Sequence, residues 1–156
     1  MTRYLREKIP LGTVDSKAIV RFAEKIEITT ETGCWRWTAT HNARVGSDPG
    51  RFYYLGKGWV AHRWAWEAIK GPVPEGLVLD HYLFPGGCIG PRCASPEHVT
   101  LATFRENVLR GNGPSARNAR KTACPAGHPY DRVDTRGGRY CSICKAAHMR
   151  RYRAAA

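Results

Sequence analysis

The chain has 156 residues, enough for one ordinary domain with a small appendage. Apolar residues make up 42% and charged residues 24%, a balance that is typical of globular proteins and excludes a disordered chain. The apolar runs are too short to cross a bilayer, and the opening "MTRYLREKIPLG" lacks the apolar stretch of a signal peptide. We therefore expect a cytoplasmic protein that has no membrane partner.

The net charge of the chain favours a polyanionic partner. Lys and Arg number 25 against 13 Asp and Glu, giving a net charge of +12, and from Arg110 onward there are eleven basic residues and two Asp. Basic surfaces gain affinity for polyanions by releasing counterions from phosphates. Because no amphipathic apolar face accompanies this charge, it indicates a nucleic acid partner in preference to an anionic membrane.

The first predicted element is an amphipathic helix in "VDSKAIVRFAEKIEI", with Asp15 or Ser16 as its N-cap. Its apolar positions at helical spacing are Ile19, Phe22, Ala23 and Ile26. The next segment, "GCWRWTATHNARVGSDPGRFYYLGKGW", predicts short strands broken by Gly, Asn and Pro, with "LGKG" as a hairpin turn.

A second helix is predicted in "AHRWAWEAIK", ended by Gly71-Pro72. Its expected core face consists of Ala61, Trp64, Ala65, Ala68 and Ile69. After it, "GLVLDH" and "HVTL" predict two strands and "ATFRENVLR" predicts a helix, which together make a ββα unit. The small, polar, basic composition of residues 111–123 then indicates a linker, followed by a short module that ends in a basic helix.

Six cysteines in a chain without a secretion signal indicate metal-binding thiolates and argue against a disulfide framework. In the last module, Cys124-x3-His128 and Cys141-xx-Cys144 are two ligand pairs twelve residues apart. This spacing is typical of a structural zinc ribbon, because about thirty residues bury too little core to fold without a metal.

A second ligand set, Cys88-x4-Cys93-x4-His98, has three members and needs a fourth. Cys34 is the first choice because it is the one cysteine left over. His62 is the second choice and His41 the third. The alternative is that Cys34 is a small buried hydrophobe beside Trp35.

Asp80-His81 closes the first strand of the ββα unit. A carboxylate that ligates Mg²⁺ beside a His that deprotonates water suits phosphodiester hydrolysis. The alternative reading of this pair is a hydrogen-bonded surface pair without function.

The ordered string "AHRWAWEAIKGPVPEGLVLDH...C....C.SP.HVTLATFRENVLRG" resembles the HNH (His-Me finger, ββα-metal) endonucleases, especially phage and intron-encoded ones. "GCWRWT" upstream and the tail "CPAGH...CSIC" are similar to a zinc-containing phage branch of that family. The resemblance covers roughly Gly33 to Arg153 and keeps the motifs in the family's order.

This resemblance implies an α+β fold with a small ββα-metal core and a C-terminal zinc ribbon. It implies that His81 is the general base and that Asp80 and Asn107 hold a catalytic divalent ion, Mg²⁺ or Mn²⁺. The Cys/His sets would hold two structural zinc ions, with His98 replacing a structural Asn of relatives. His62 falls on the family's "HR" motif, where it would brace the site or touch phosphate. The domains would be a nuclease domain at 1–110, the basic linker at 111–123 and the ribbon at 124–156.

The chain departs from the zinc branch at two places. Ser95-Pro96 stands where relatives have Asn-Pro, and "YLFPGG" separates His81 from the first cysteine, which enlarges the loop between the two strands. These departures affect the contacts with DNA more than the catalytic roles, since the Cys-Cys-His spacing and the distance from His98 to Asn107 are kept.

The expected function is nicking or double-strand cleavage of double-stranded DNA by phosphodiester hydrolysis. The alternative is a catalytically inactive zinc DNA-binding protein of phage regulation or packaging. A monomer would nick and a homodimer could cut both strands, and the sequence does not choose between them. The expected DNA-binding residues are Arg63, Arg105, Arg110, Arg117, Arg120, Lys121, Arg150, Arg151 and Arg153.

Overall fold

A computed structural model describes residues 8–9, 12–40, 49–81 and 87–155. The chain divides into two compact units, Met1–Arg110 and Gly111–Ala156. Short helices and two-stranded antiparallel sheets occur in both units, which confirms the α+β class. In the described part of the chain, no helix is long and apolar enough to span a membrane.

The first unit has three helices and six strands in its described residues. Their order is α1 (Ser16–Ala23), β1 (Ile26–Ile28), β2 (Trp35–Trp37), β3 (Arg51–Tyr54), β4 (Lys57–Val60), α2 (Ala61–Lys70), β5 (Leu77–Asp80), β6 (Thr100–Thr103) and α3 (Phe104–Arg110). Consecutive strands pair as the antiparallel hairpins β1–β2, β3–β4 and β5–β6. A short 3₁₀ turn at Gly90–Arg92 lies between β5 and β6.

The first helix begins where it was predicted to begin and ends earlier. Asp15 caps it by accepting a hydrogen bond from the Ala18 N–H at 2.7 Å. The helix stops at Ala23, so the prediction that Ile26 lies on its apolar face is wrong, and Ile26 is the first residue of β1. Pairing of the β-branched Ile26 and Ile28 with β2 accounts for this difference, because tertiary pairing overrides the helical spacing.

The core of the first unit is a cluster of aromatic rings from four elements. Phe22 of α1 stacks on Trp64 of α2 at 4.5 Å between ring centroids and meets Phe52 of β3 at 5.0 Å. Trp37 of β2 lies 5.1 Å from Phe22. Gly50 is required beside this cluster, since a Cβ there would lie 2.5 Å from the Trp37 ring. The cluster therefore joins α1 to the β1–β2 hairpin, the β3–β4 hairpin and α2.

The second helix has the predicted bounds and a narrower buried face. Ala61, Trp64 and Ala65 are buried, and the helix ends at Gly71, whose φ of 88° favours glycine. Ile69 was predicted to belong to the core face but is 61% exposed, so that assignment is wrong. At 100° per residue, Ile69 lies about 40° beyond Ala65 at the edge of the packed face.

A hairpin turn before α2 and a capping box after it fix the ends of the neighbouring elements. Leu55 and Gly56 join β3 to β4 with φ values of 49° and 71°, the left-handed pair of a type I′ hairpin turn, which confirms the turn predicted in "LGKG". Thr103 and Glu106 form a capping box before α3, because each side chain accepts a hydrogen bond from the other residue's backbone N–H. Since α3 packs against β5 and β6, the predicted ββα unit is confirmed.

The second unit contains α4 (Pro114–Arg120), β7 (Arg132–Val133), β8 (Arg139–Tyr140) and α5 (Ser142–Ala154). Helix α4 lies inside residues 111–123, the segment expected to be a basic linker. Pro114 occupies the first helical turn and Arg120 donates hydrogen bonds to Gly111 and Asn112, which closes the preceding turn. The division into a nuclease domain, linker and ribbon stays a prediction.

Candidate metal centres and active site

The first Cys/His group consists of Cys34, Cys88, Cys93 and His98, whose ligand atoms all lie within 4.8 Å of one another. The Cys34 Sγ lies 3.7 Å from the Cys88 Sγ and 3.3 Å from the His98 Nδ1. The Cys93 Sγ lies 3.4 Å from the same nitrogen. Of the three candidates for the fourth position, the structure thus brings Cys34 to the group. His62 lies outside the group, and His41 lies outside the described residues.

These separations fit a tetrahedral zinc ion. With sulfurs about 2.3 Å and a nitrogen about 2.0 Å from a tetrahedral zinc ion, two sulfurs would lie about 3.8 Å apart and a sulfur and a nitrogen about 3.5 Å apart. All six cysteines are free thiols. Burial, and the charge of the neighbouring Cys93, raise the pKa of Cys88 to about 12, so several thiolates could not coexist here without a compensating cation. The group could therefore hold zinc.

Strand β2 brings the distant members of the first group together. Cys34 precedes this strand, and its N–H donates to the Thr29 hydroxyl at 3.1 Å. Further along β2, Arg36 forms a bridge with Cys93 and Trp35 accepts a hydrogen bond from the Ala94 N–H at 2.8 Å. The segment around Cys93 therefore docks on β2, and Cys34 and Cys93 are both fully buried.

Ser95 stands where the resembling nucleases carry Asn, and it is buried. Its hydroxyl accepts a hydrogen bond from the Glu97 N–H at 3.3 Å, and its carbonyl accepts one from the His98 N–H at 3.2 Å. Serine thus forms the tight turn that delivers His98 to the sulfurs. Of the inserted residues 82–87, residues 82–86 lie outside the described part of the chain, so the predicted enlarged loop stays a prediction.

The second Cys/His group consists of Cys124, His128, Cys141 and Cys144, again with all ligand atoms within 4.8 Å of one another. The Cys124 Sγ lies 3.7 Å from both the Cys144 Sγ and the His128 Nδ1. The tightest approach joins the His128 Nδ1 to the Cys144 Sγ at 3.4 Å. This geometry also fits a tetrahedral zinc ion, so the group could hold zinc.

Two local structures support the second group. Cys124 and His128 flank a tight turn in which the Cys124 N–H donates to the His128 carbonyl at 2.8 Å. Cys141 is the N-cap of α5, where its sulfur accepts a hydrogen bond from the Cys144 N–H. Asp131 accepts hydrogen bonds from the N–H and hydroxyl of Ser142, which fixes the start of α5. Both ligand pairs therefore come from short local motifs.

The Asp-His pair lies at the end of β5, where Asp80 is the last strand residue and His81 follows. The His81 Nε2 lies 3.1 Å from the carbonyl oxygen of Cys93. A carbonyl can only accept, so Nε2 carries the proton and the other ring nitrogen, Nδ1, is the acceptor of the neutral imidazole. This bond could not be predicted from the sequence, because it joins the end of β5 to a residue of the first Cys/His group that only the fold brings near.

His62 packs beside His81, with the ring centroids 4.9 Å apart and the rings nearly perpendicular. Burial, reinforced by His81, lowers the pKa of His62 to about 3, so this ring is neutral at ordinary pH. Burial also lowers the pKa of His81, although the Cys93 carbonyl and the Asp80 charge act in the opposite direction. Both imidazoles are therefore neutral at pH 7, and His81 is able to accept a proton.

Asp80 and Asn107 provide oxygen ligands of the kind that Mg²⁺ and Mn²⁺ prefer. Asn107 lies in the middle of α3, the helix that packs against β5, and both residues are partly buried. The Asp80 Oδ2 also lies 3.3 Å from the Arg110 Nη1. That ion pair was not predicted from the sequence. The spacing of three residues between Asn107 and Arg110 could have indicated it, because it places both on one face of the predicted helix.

The predicted DNA-binding residues have different surroundings. Arg63 forms an ion pair with the buried Glu67 at 2.8 Å, which gives it a structural partner within α2. Arg120 donates a hydrogen bond to the Gly111 carbonyl in the turn before α4. The exposed members of the set are Arg105, Arg117, Arg120, Lys121, Arg150, Arg151 and Arg153. Contact with DNA stays a prediction for all nine residues.

Comparison with known proteins gives a family and several phage relatives. Residues 60–109 match the family model described as HNH endonuclease. The uncharacterized gene 5.3 protein of Enterobacteria phage T3 is 34% identical over 56 residues, 36% of this chain and 50% of the relative. Protein 7.7 of Escherichia phage T7 is 36% identical over 74 residues, 47% and 51% of the two chains. Protein 2.8 of the same phage is 30% identical over 92 residues, 56% and 54%.

The chain thus spans about half the length of the curated relatives that it matches. No solved structure is significantly similar to it. The matched segment contains α2, the ββα unit except for its last residue, the Asp80-His81 pair and Asn107. Within this segment, the chain is similar to the HNH endonucleases.

Proposed function

We propose that the protein is a metal-dependent DNA endonuclease in which His81 is the general base. The observation that carries this proposal is the bond between the His81 Nε2 and the Cys93 carbonyl, 3.1 Å long, beside the carboxylate at the end of β5. This bond leaves Nδ1 as the proton acceptor. A neutral imidazole held in one tautomer next to an oxygen ligand of a divalent ion suits phosphodiester hydrolysis.

In this mechanism, the His81 Nδ1 removes a proton from a water molecule while the water oxygen attacks the scissile phosphorus in line. The bond from phosphorus to the 3′ oxygen breaks, and that oxygen takes a proton from solvent. Asp80 and Asn107 would hold one Mg²⁺ or Mn²⁺ ion, which supplies charge stabilisation to the phosphate and the leaving oxygen. The products carry 5′-phosphate and 3′-hydroxyl ends.

The two Cys/His groups would hold structural zinc ions with different tasks. In the first group, zinc would fix Cys93, whose carbonyl orients His81. In the second group, zinc would hold the base of α5 through Cys141 and Cys144. Neither zinc ion takes part in the chemical step of this mechanism.

Helix α5 is the main DNA-binding surface in this proposal. It spans 13 residues, buries none of them, and contains no acidic residue. The side opposite the ligand Cys144 presents Arg150 and Arg153 beside the small Ala146. Such a face suits double-stranded DNA, so affinity should fall steeply with salt.

The proposal can be tested by the ends of the cut DNA. Supercoiled plasmid is incubated with Mg²⁺ or Mn²⁺ and the native protein, His81→Ala, or His148→Ala, a control that removes an exposed histidine of α5. We expect nicks from the native and His148→Ala proteins that DNA ligase reseals directly, because the ends are 5′-phosphate and 3′-hydroxyl. Nicks that ligase cannot seal would contradict the proposed hydrolysis. DNA binding without cutting by any variant would favour the inactive DNA-binding alternative.

A further inference from the structure

An ion pair engages the carboxylate that the proposed function assigns to a divalent ion. The Arg110 Nη1 lies 3.3 Å from the Asp80 Oδ2, and the two side chains are 26% and 12% exposed. Both groups are therefore largely removed from water. An ion pair in such surroundings is stronger than a surface pair and costs more to break.

The fold fixes this contact from both sides. Asp80 ends β5 opposite Thr100 of β6, so its backbone position is set by the strand register. Arg110 is the last residue of α3, whose start is fixed by the capping box of Thr103 and Glu106. Three residues before it on the same helix lies Asn107. Residues three apart lie on the same face of a helix, so Asn107 lies on the face of α3 that carries Arg110.

The charges of the ion pair and of a metal site conflict. A guanidinium stays protonated, so it cannot reduce its repulsion for a metal by losing a proton. A divalent ion held by Asp80 would stand within a few ångströms of that positive charge. Arg110 must therefore weaken metal binding at Asp80 or move away from it when the ion binds.

We propose that Arg110 is the cation that a divalent ion displaces from Asp80, and that the displaced guanidinium then binds the DNA phosphate backbone. This inference rests on the proposed function, since it takes Asp80 as a metal ligand. In the metal-free protein, Arg110 neutralises the carboxylate and keeps the site closed to weakly held ions. DNA offers the guanidinium a new anionic partner, so DNA and metal each favour the binding of the other.

The test is Mn²⁺ binding to the full-length, zinc-loaded protein without DNA, followed by electron paramagnetic resonance of free Mn²⁺. The proteins are native, Arg110→Gln, Asp80→Asn and Arg105→Gln, the last removing an exposed charge from the same helix. We expect Arg110→Gln to bind Mn²⁺ tighter by at least on the order of tenfold, because removing a unit charge about 5 Å from a divalent ion has about that effect in water and a larger one where water is largely excluded. Arg105→Gln should change the affinity much less.

Each other outcome overturns a defined part of the account. Unchanged or weaker Mn²⁺ binding by Arg110→Gln, or equal tightening by Arg105→Gln, would overturn the displacement. Native-like Mn²⁺ binding by Asp80→Asn would instead overturn the metal site of the proposed function. These two failures are distinguishable because only the second involves Asp80→Asn.

A second readout tests where the guanidinium goes. Mn²⁺ affinity is measured with and without duplex DNA in a His81→Ala background, which prevents cleavage. We expect DNA to tighten Mn²⁺ binding more in the protein with Arg110 than in the one with Arg110→Gln, because only the former exchanges Asp80 for phosphate. Equal tightening in the two proteins would overturn the transfer of Arg110 to DNA.

Discussion

The two Cys/His groups have the same four-ligand geometry and different surroundings. The first lies in a unit with a packed aromatic core, and its members Cys34 and Cys93 are fully buried. In the described residues of the second unit, the buried side chains are those of Ala116, Cys124 and Cys141. Two of those three belong to the metal-binding group itself.

This difference indicates that two groups of the same composition, three Cys and one His, have different roles in the chain. The first unit can be stabilised by its rings, so its Cys/His group is available to position the Cys93 carbonyl against His81. The second unit buries too little apolar surface to fold without a metal. We therefore interpret the first group as support for the active site and the second as the core of its own unit.

Removal of zinc gives the largest predicted effect. With a strong chelator, we expect the second unit to lose α5 and both strands, while the aromatic core of the first unit persists. Since all five tryptophans lie between Trp35 and Trp66, their fluorescence reports on the first unit alone. Amide exchange along α5 reports on the second. Continued protection of α5 after chelation would contradict the comparison.

Truncation of the aromatic core should have the converse effect. Trp64→Ala removes a ring that packs against Phe22 and Phe52, and we expect a loss of about 3 to 5 kcal/mol in the free energy of unfolding of the first unit. Amide exchange in α5 should stay native. Denaturant unfolding followed by fluorescence measures the loss, and a cost below about 1 kcal/mol would show that the rings do not carry the stability of this unit.

Substitution of one cysteine from each group should separate catalysis from binding. Cys93→Ala is expected to slow cleavage of saturating DNA by about 10- to 100-fold, because the carbonyl that orients His81 loses its support. Cys144→Ala should weaken DNA binding and have little effect on the rate at which bound DNA is cleaved. Single-turnover cleavage and DNA titrations measure the two quantities, and the reverse assignment would refute our reading of the groups.

The smallest predicted effect concerns the basic end of α5. Replacing Arg150, Arg151 and Arg153 together by Gln should flatten the slope of log affinity against log salt by about 2, because Arg150 and Arg153 lie on the DNA-binding face and Arg151 lies on the side of Cys144. Lys57→Gln, which removes an exposed charge from the β3–β4 hairpin, is the control and should leave the slope unchanged. Titrations at several salt concentrations decide, and an unaltered slope in the triple variant would remove α5 from the DNA-binding surface.

Features encoded within a few residues could be predicted from the sequence. The helix cap at Asp15 or Ser16, the "LGKG" turn, the ββα unit, the second ligand group and the Cys88, Cys93 and His98 part of the first follow local spacing, and the structure has them. Features that depend on distant contacts could not be predicted in full. Cys34 was one of three candidates, because its place is set by the bridge between Arg36 and Cys93.

The errors have the same physical origin. Ile26 has helical spacing but pairs with β2, and the exposure of Ile69 depends on which elements cover α2. Helix α4 was missed because its basic, polar composition resembles a linker, whereas its turn is closed by Arg120. The bonds of His81 to Cys93 and of Asp80 to Arg110 join separate segments, so only a folded chain reveals them.

The central claim, that His81 activates the water that cuts DNA, is tested most directly by relaxation of supercoiled plasmid in Mg²⁺ or Mn²⁺. The native protein is compared with His81→Ala at equal zinc content, equal fold and saturating DNA. We predict nicking by the native protein and a loss of at least about 100-fold in the variant, the usual contribution of a general base. Equal rates for the two proteins would contradict the claim.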